Sequence, residues 1–183
     1  MRNGLRQTAL ERRIHALQLA HCAPPLFHHI RTSIDLDEID GTPHEVVQNK
    51  ATAAGNGIII EDTSLDVEGA DVGVNIRWIV ENMEQFSGKK ATWRVLLGVL
   101  DGSIDKVNIY EGIVEGIIVP SRGDSGFGFD PVFLPNGSDK TLAQEKGDEV
   151  SARYRAIQAL VQNTPVAVAD PIASADWKGK WQH

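Results

Sequence analysis

The sequence predicts an α/β domain, and three observations lead there. Apolar residues recur at helical spacing in separate segments, Leu10, Ile14 and Leu17 forming the first such stripe. Short continuous apolar runs stand between them, such as Ile58-Ile59-Ile60 after Gly57, consistent with a buried strand. From Trp93 the apolar residues alternate strictly through Val95, Leu97 and Val99 into Asp101-Gly102-Ser103, a hairpin turn. At 183 residues the chain suggests one domain, or one domain with two lobes.

Composition narrows the partners. Hydrophobic residues make up 42% and charged residues 23%, which are globular values and argue against disorder. A net charge of -7 argues against a broad nucleic-acid surface, but it leaves room for an anion held by a few cations or a divalent metal. Cys22 is the single cysteine, so no disulfide forms within the chain. No apolar run approaches a membrane span, and no signal-peptide core follows Met1, so the expected location is the cytoplasm.

In order, the pattern predicts a helix over residues 5–21, ended by Pro24-Pro25, and a strand over 27–34. Asn3 and Arg6 stand where a helix N-terminus would meet a phosphate, or are solvated terminal residues. Asp35, Asp37, Glu38 and Asp40 form an acidic turn, either solvated or a source of oxygen ligands for Mg²⁺. Thr42-Pro43-His44-Glu45 is a capping box with Pro at the first helical position, and it opens a helix that Gly55 stops. Lys50 on that helix points inward at the end of an apolar stripe or snorkels along it.

The run Ile58-Ile59-Ile60 is expected to end in Glu61-Asp62-Thr63, placing two adjacent acids at the C-terminal end of a buried strand, where α/β sheets hold ligands. Such a pair is costly without a cation. A helix over 74–86 carries Arg77 and Trp78, and the hairpin then runs through 92–119. A short strand over 132–134 and a helix over 150–161 follow. The tail from Asn163, with Trp177 and Trp181, is expected as an irregular strap or a contact to a second subunit.

The stretch Ser-Gly-Phe-Gly-Phe-Asp-Pro-Val-Phe (125–133) interleaves Gly126 and Gly128 with Phe127 and Phe129, then closes on Asp130-Pro131. Flat apolar faces beside one directional acceptor suit a nucleobase. The same residues also suit a turn whose aromatics fill a core. No histidine lies near this stretch or near Glu61-Asp62, and there is no P-loop or dinucleotide fingerprint. The acids point instead to metal-assisted hydrolysis.

Five segments together resemble the inosine triphosphate pyrophosphatase family: Ile-Asp-Leu-Asp-Glu-Ile-Asp-Gly (34–41), Glu-Asp-Thr-Ser-Leu (61–65), Ile-Arg-Trp (76–78), the 125–133 stretch and Val-Ser-Ala-Arg (150–153). They occur in family order from about Ile34 to Leu160. The resemblance implies an elongated, two-lobed α/β fold. A long curved mixed sheet flanked by helices would hold the nucleotide in a cleft between the lobes. It implies a homodimer and Mg²⁺-dependent hydrolysis of non-canonical nucleoside triphosphates to monophosphate and pyrophosphate. It also implies roles: Glu38 and Asp62 as metal ligands, Asp62 as base for the attacking water, and Lys50, Thr63, Arg77, Asn3 and Arg6 on the phosphate and ribose side. Phe127, Gly128, Phe129 and Asp130 would wall the base, with Arg153 at its edge.

The chain departs from the pattern in four ways. The strand that usually precedes the Asn3 position is missing, Arg6 and Arg77 stand in place of lysines, Ala152 replaces a histidine, and the segment between Trp78 and Trp93 is short. Base selectivity is therefore expected to be altered. The alternative expectation is a nucleotide-binding or structural relative with little or no activity.

Overall fold

In the computed structural model, which describes residues 39–70, 76–126, 128–145 and 147–181, the elements follow as β1 (Ile39–Asp40), α1 (Pro43–Ala54), β2 (Ile59–Val67), α2 (Ile76–Glu81), α3 (Met83–Phe86), β3 (Lys90–Asp101), β4 (Lys106–Ile118), β5 (Phe133–Pro135), α4 (Ala152–Val161), β6 (Ala167–Ala169) and β7 (Lys180–Trp181). Asn3, Arg6, Glu38 and Phe127 lie outside the described residues, as do the helix expected over 5–21 and the strand expected over 27–34.

The expected hairpin is the spine of a five-stranded sheet. β3 and β4 pair from Lys90↔Ile117 to Asp101↔Lys106. β2 joins the outer side of β3, while β5 and β6 pair with the two ends of β4. Every strand pairing among the described residues is antiparallel; the parallel contact is the isolated bridge Asn56↔Leu100.

Alternation along these strands gives the sheet two faces. On one face Val47 and Ala51 of α1 pack against Leu96, Val107 and Ile109, with Ile60 and Leu100 at the margin. On the other face α4 crosses Gly112. A Cβ built there would lie 1.9 Å from the Ala152 carbonyl oxygen and 2.5 Å from the Ala156 nitrogen, so only glycine permits this approach.

The helix starts obey their caps. Thr42 Oγ1 accepts from Glu45 N at 3.3 Å, and Glu45 Oε2 accepts from Thr42 N at 2.8 Å, completing the predicted capping box. These hydrogen bonds from Thr42 hold the Glu45 carboxyl below its ordinary value. Gly55, at φ 96°, ends α1 as expected. Ser151 caps α4, its Oγ accepting from Tyr154 N at 3.2 Å.

Three expectations need correction. β2 does not end at Glu61-Asp62; it continues to Val67, because Leu65 and Val67 supply further buried positions against β3. The helix expected over 74–86 is broken at Asn82, whose Nδ2 donates to Trp78 O at 2.8 Å and whose backbone leaves helical geometry at φ −114° and ψ 30°. The tail is not irregular throughout. β6 pairs with β4, β7 pairs with β1, and Asn49 Nδ2 of α1 donates to Ile172 O at 2.9 Å.

Candidate active site

β2 organises the site. Its alternation sends Asp62 to the face that carries α1 and Glu61 to the face that carries α4. The two acids therefore do not form one paired site, which corrects the reading of them as a unit. Each has its own cation. Lys50 of α1 donates from Nζ to Asp62 Oδ1 at 2.9 Å, with both side chains less than one-fifth exposed. Of the two orientations open to Lys50, the inward one is found. Its ammonium meets the strand.

On the opposite face Arg153, from the first turn of α4, grips Glu61 from the side. Nε donates to Oε2 at 2.8 Å and Nη2 donates to Oε1 at 2.6 Å. Hydrogen bonding to Glu61 first, and its negative charge, raise the Arg153 guanidinium above its ordinary value, with the charge of Asp130 adding to the effect. Thr63 is exposed and its Oγ1 donates to Glu61 Oε1 at 3.3 Å, placing it on the Arg153 side of the strand and not beside Lys50.

The glycine-rich loop is tied down on the same face as Arg153. Phe129 meets the ring of Trp93 edge-on, with centroids 5.8 Å apart, and lies 6.4 Å from Phe133. Asp130 is 2% exposed. Its Oδ2 lies only 2.6 Å from where a Cβ on Gly126 would stand, so that glycine, at φ 95°, lets the carboxylate tuck under the loop. Gly128 is exposed. Phe129 joins an aromatic cluster and remains partly exposed.

Other expected residues are not brought to this strand by any contact among the described residues. Arg77 is exposed on α2 and makes no hydrogen bond or ion pair there. Ala152 is fully buried between α4 and the sheet. Two features went unread in the sequence. Glu61 is the partner of Arg153, a pairing signalled only by strand alternation. Arg94 bridges Asp66, at 3.5 Å, and Glu111 on the Asp62 face, a cross-strand network that needed the register to be seen.

Oxygen donors suit a hard cation, and Mg²⁺ is commonly held by one or two carboxylates together with substrate phosphates. Among the described residues no group of three or more His, Cys, Asp or Glu side chains forms a metal cage. Asp62 is a fitting single donor, since Lys50 engages only one of its oxygens. No described helix is long and apolar enough to cross a membrane.

An antiparallel sheet with helices on both faces, a cation–carboxylate pair on each face of one strand and an aromatic cluster beside one of them makes this an α/β protein. Comparison with known proteins makes this specific. A sequence model of the Ham1 family matches residues 10–163, and the chain belongs to that family. An inosine triphosphate pyrophosphatase of Scheffersomyces stipitis is 34% identical over 149 residues, which cover 72% of this chain and 77% of the relative. One of Yarrowia lipolytica is 32% identical over 145 residues, covering 69% and 77%. The solved Ham1 protein of Staphylococcus aureus superposes with a TM-score of 0.60 at 18% identity, covering 87% of this chain and 94% of that one, so the fold is shared. A HAM1 protein of Coxiella burnetii gives 0.58 at 19% identity, with the same coverage of 87% and 94%.

Proposed function

We propose that this protein hydrolyses nucleoside triphosphates carrying non-canonical purines, cleaving between the α- and β-phosphates to give monophosphate and pyrophosphate. The observation that carries this reading is the Lys50–Asp62 pair, a half-buried carboxylate and ammonium 2.9 Å apart in a chain whose relatives are inosine triphosphate pyrophosphatases. Phosphate oxygens compete with Asp62 for the Lys50 ammonium. Substrate binding therefore loosens the carboxylate at the moment it is needed to take a proton from water.

Asp62, with Glu38 as the other expected donor, would hold Mg²⁺, which would supply charge neutralisation for the triphosphate. The chain's own residues supply the remainder. Lys50 orients the phosphates, and Arg153, Phe129 and Asp130 take the base side on the other face of β2, with Phe127 expected beside them. Asn3, Arg6 and Arg77 are proposed as further phosphate contacts. The protein is proposed to work as a cytoplasmic homodimer, as its sequence resemblance and composition suggest.

The test is pyrophosphate release from inosine, xanthosine and canonical triphosphates, with and without Mg²⁺, by the wild type and by Asp62→Asn. The variant keeps the shape of the side chain, so the fold should persist while the rate falls about 10²–10⁴-fold. Wild-type turnover by Asp62→Asn would refute the role given to this carboxylate.

A further inference from the structure

We infer that Glu61 is a positioning residue for base recognition, setting the orientation of Arg153 and coupling it to Thr63. The inference rests on the proposed function, because it concerns the base end of that same substrate. Three observations support it. The contact is two-pronged: Glu61 takes hydrogen bonds from both Nε and Nη2 of Arg153, at 2.8 and 2.6 Å, which fixes the plane of the guanidinium as well as its place. The same carboxylate oxygen, Oε1, accepts from Thr63 at 3.3 Å, so one acid links two proposed ligand contacts on one face of β2. And the grip uses only one edge of the fork. Among the described residues Arg153 Nη1 makes no hydrogen bond, and its side chain keeps 25% of its surface exposed.

An arginine held by its Nε edge leaves the Nη1 donors free of that grip. Its Nη1 hydrogens are donors in a fixed plane, suited to the carbonyl and ring-nitrogen acceptors of an oxidised purine. A purine entering beside Phe129 then meets a donor pair already aimed. Without Glu61 the side chain must be ordered by the ligand itself, and that ordering weakens binding. A purely structural ion pair between α4 and β2 makes a different forecast: stability changes and ligand affinity does not.

The experiment measures KM and kcat for inosine triphosphate, its dissociation constant by calorimetry, and the unfolding midpoint. The proteins are the full chain as wild type, Glu61→Gln, Arg153→Gln and the double variant. Each single substitution is expected to raise KM and the dissociation constant about tenfold, with KM moving more than kcat. The double variant is expected to match Arg153→Gln alone, because Glu61 acts through that side chain. Should Glu61→Gln not fold, Glu61→Asp replaces it. That variant keeps the charge and withdraws it by one methylene, for a rise of about threefold. Unchanged affinity in the folded Glu61 variant, or multiplicative effects in the double variant, would overturn the inference. A wild type that neither cleaves nor binds any nucleoside triphosphate defeats the proposed function instead. A wild type that binds, with Glu61→Gln unaltered, defeats only the role of Glu61.

Discussion

At the scale of single residues, the molecule assigns opposite duties to neighbours. Glu61 and Asp62 are adjacent in sequence, yet one pairs with Arg153 of α4 and the other with Lys50 of α1. The sequence singled out Lys50, Asp62 and Arg153, but that Lys50 meets Asp62 and that Arg153 shares a face with Phe129 emerge only from the structure. Their partition between faces was not legible while the strand was taken to end at Asp62, since facing depends on the strand running on. Ala152 teaches a similar lesson. The family histidine it replaces suggests that Ala152→His would restore base selection. But Ala152 is fully buried where α4 rests on Gly112, so an imidazole there must overpack the interface. The expected outcome is a loss of about 1–3 kcal/mol in denaturant unfolding, without a gain in preference for inosine triphosphate. Unchanged stability with sharpened selectivity would show that the ring finds a route to the ligand and that this packing argument is mistaken.

At the scale of elements, the contact of α4 with β4 determines where Arg153 stands. Gly112→Ala places a methyl group 1.9 Å from a backbone oxygen, and backbone cannot rotate out of the way as a side chain can. We expect a destabilisation of about 3 kcal/mol or more, above the usual range for overpacking, and a weakened Glu61–Arg153 contact. Thermal unfolding together with KM for inosine triphosphate measures both; a variant as stable as the wild type would mean that α4 slides freely on the sheet. The legible elements were those with local signals: the capping box of α1, its glycine stop and the alternating hairpin all lie where the sequence puts them. The illegible ones depended on distant partners. Asn82 breaks its helix by reaching back to Trp78 O, and β6 is a strand only because β4 lies beside it.

At the scale of the whole described unit, the segment past residue 163, where the family match ends, serves as a brace for α1. Asn49 is 1% exposed and donates to Ile172 O and Ser174 Oγ, at 2.9 and 3.3 Å, and Ile172 N donates to Thr52 Oγ1 at 3.1 Å. Ending the chain at residue 163 removes these partners and uncovers the β4 edge at 107–109. A buried donor left without a partner costs about 1–3 kcal/mol. The truncated protein should therefore melt lower, by about 2–4 °C for each kcal/mol lost in a chain of this size. It should also lose affinity for the triphosphate, because α1 carries Lys50. An unaltered melting temperature would show that the brace carries no stability.

The two-faced strand also limits how the gene can vary in length. Inserting or deleting one codon near the start of β2 rotates every later side chain to the other side of the sheet. The shift would leave one of the two cations without its carboxylate, since an insertion brings Ile60 to the place facing Arg153 and a deletion brings Thr63 to the place facing Lys50. The apolar positions would suffer as well: Leu65 and Val67, 7% and 6% exposed, would trade places with Ser64 and Asp66. Selection at this strand therefore acts on parity, tolerating length changes of two residues more readily than changes of one.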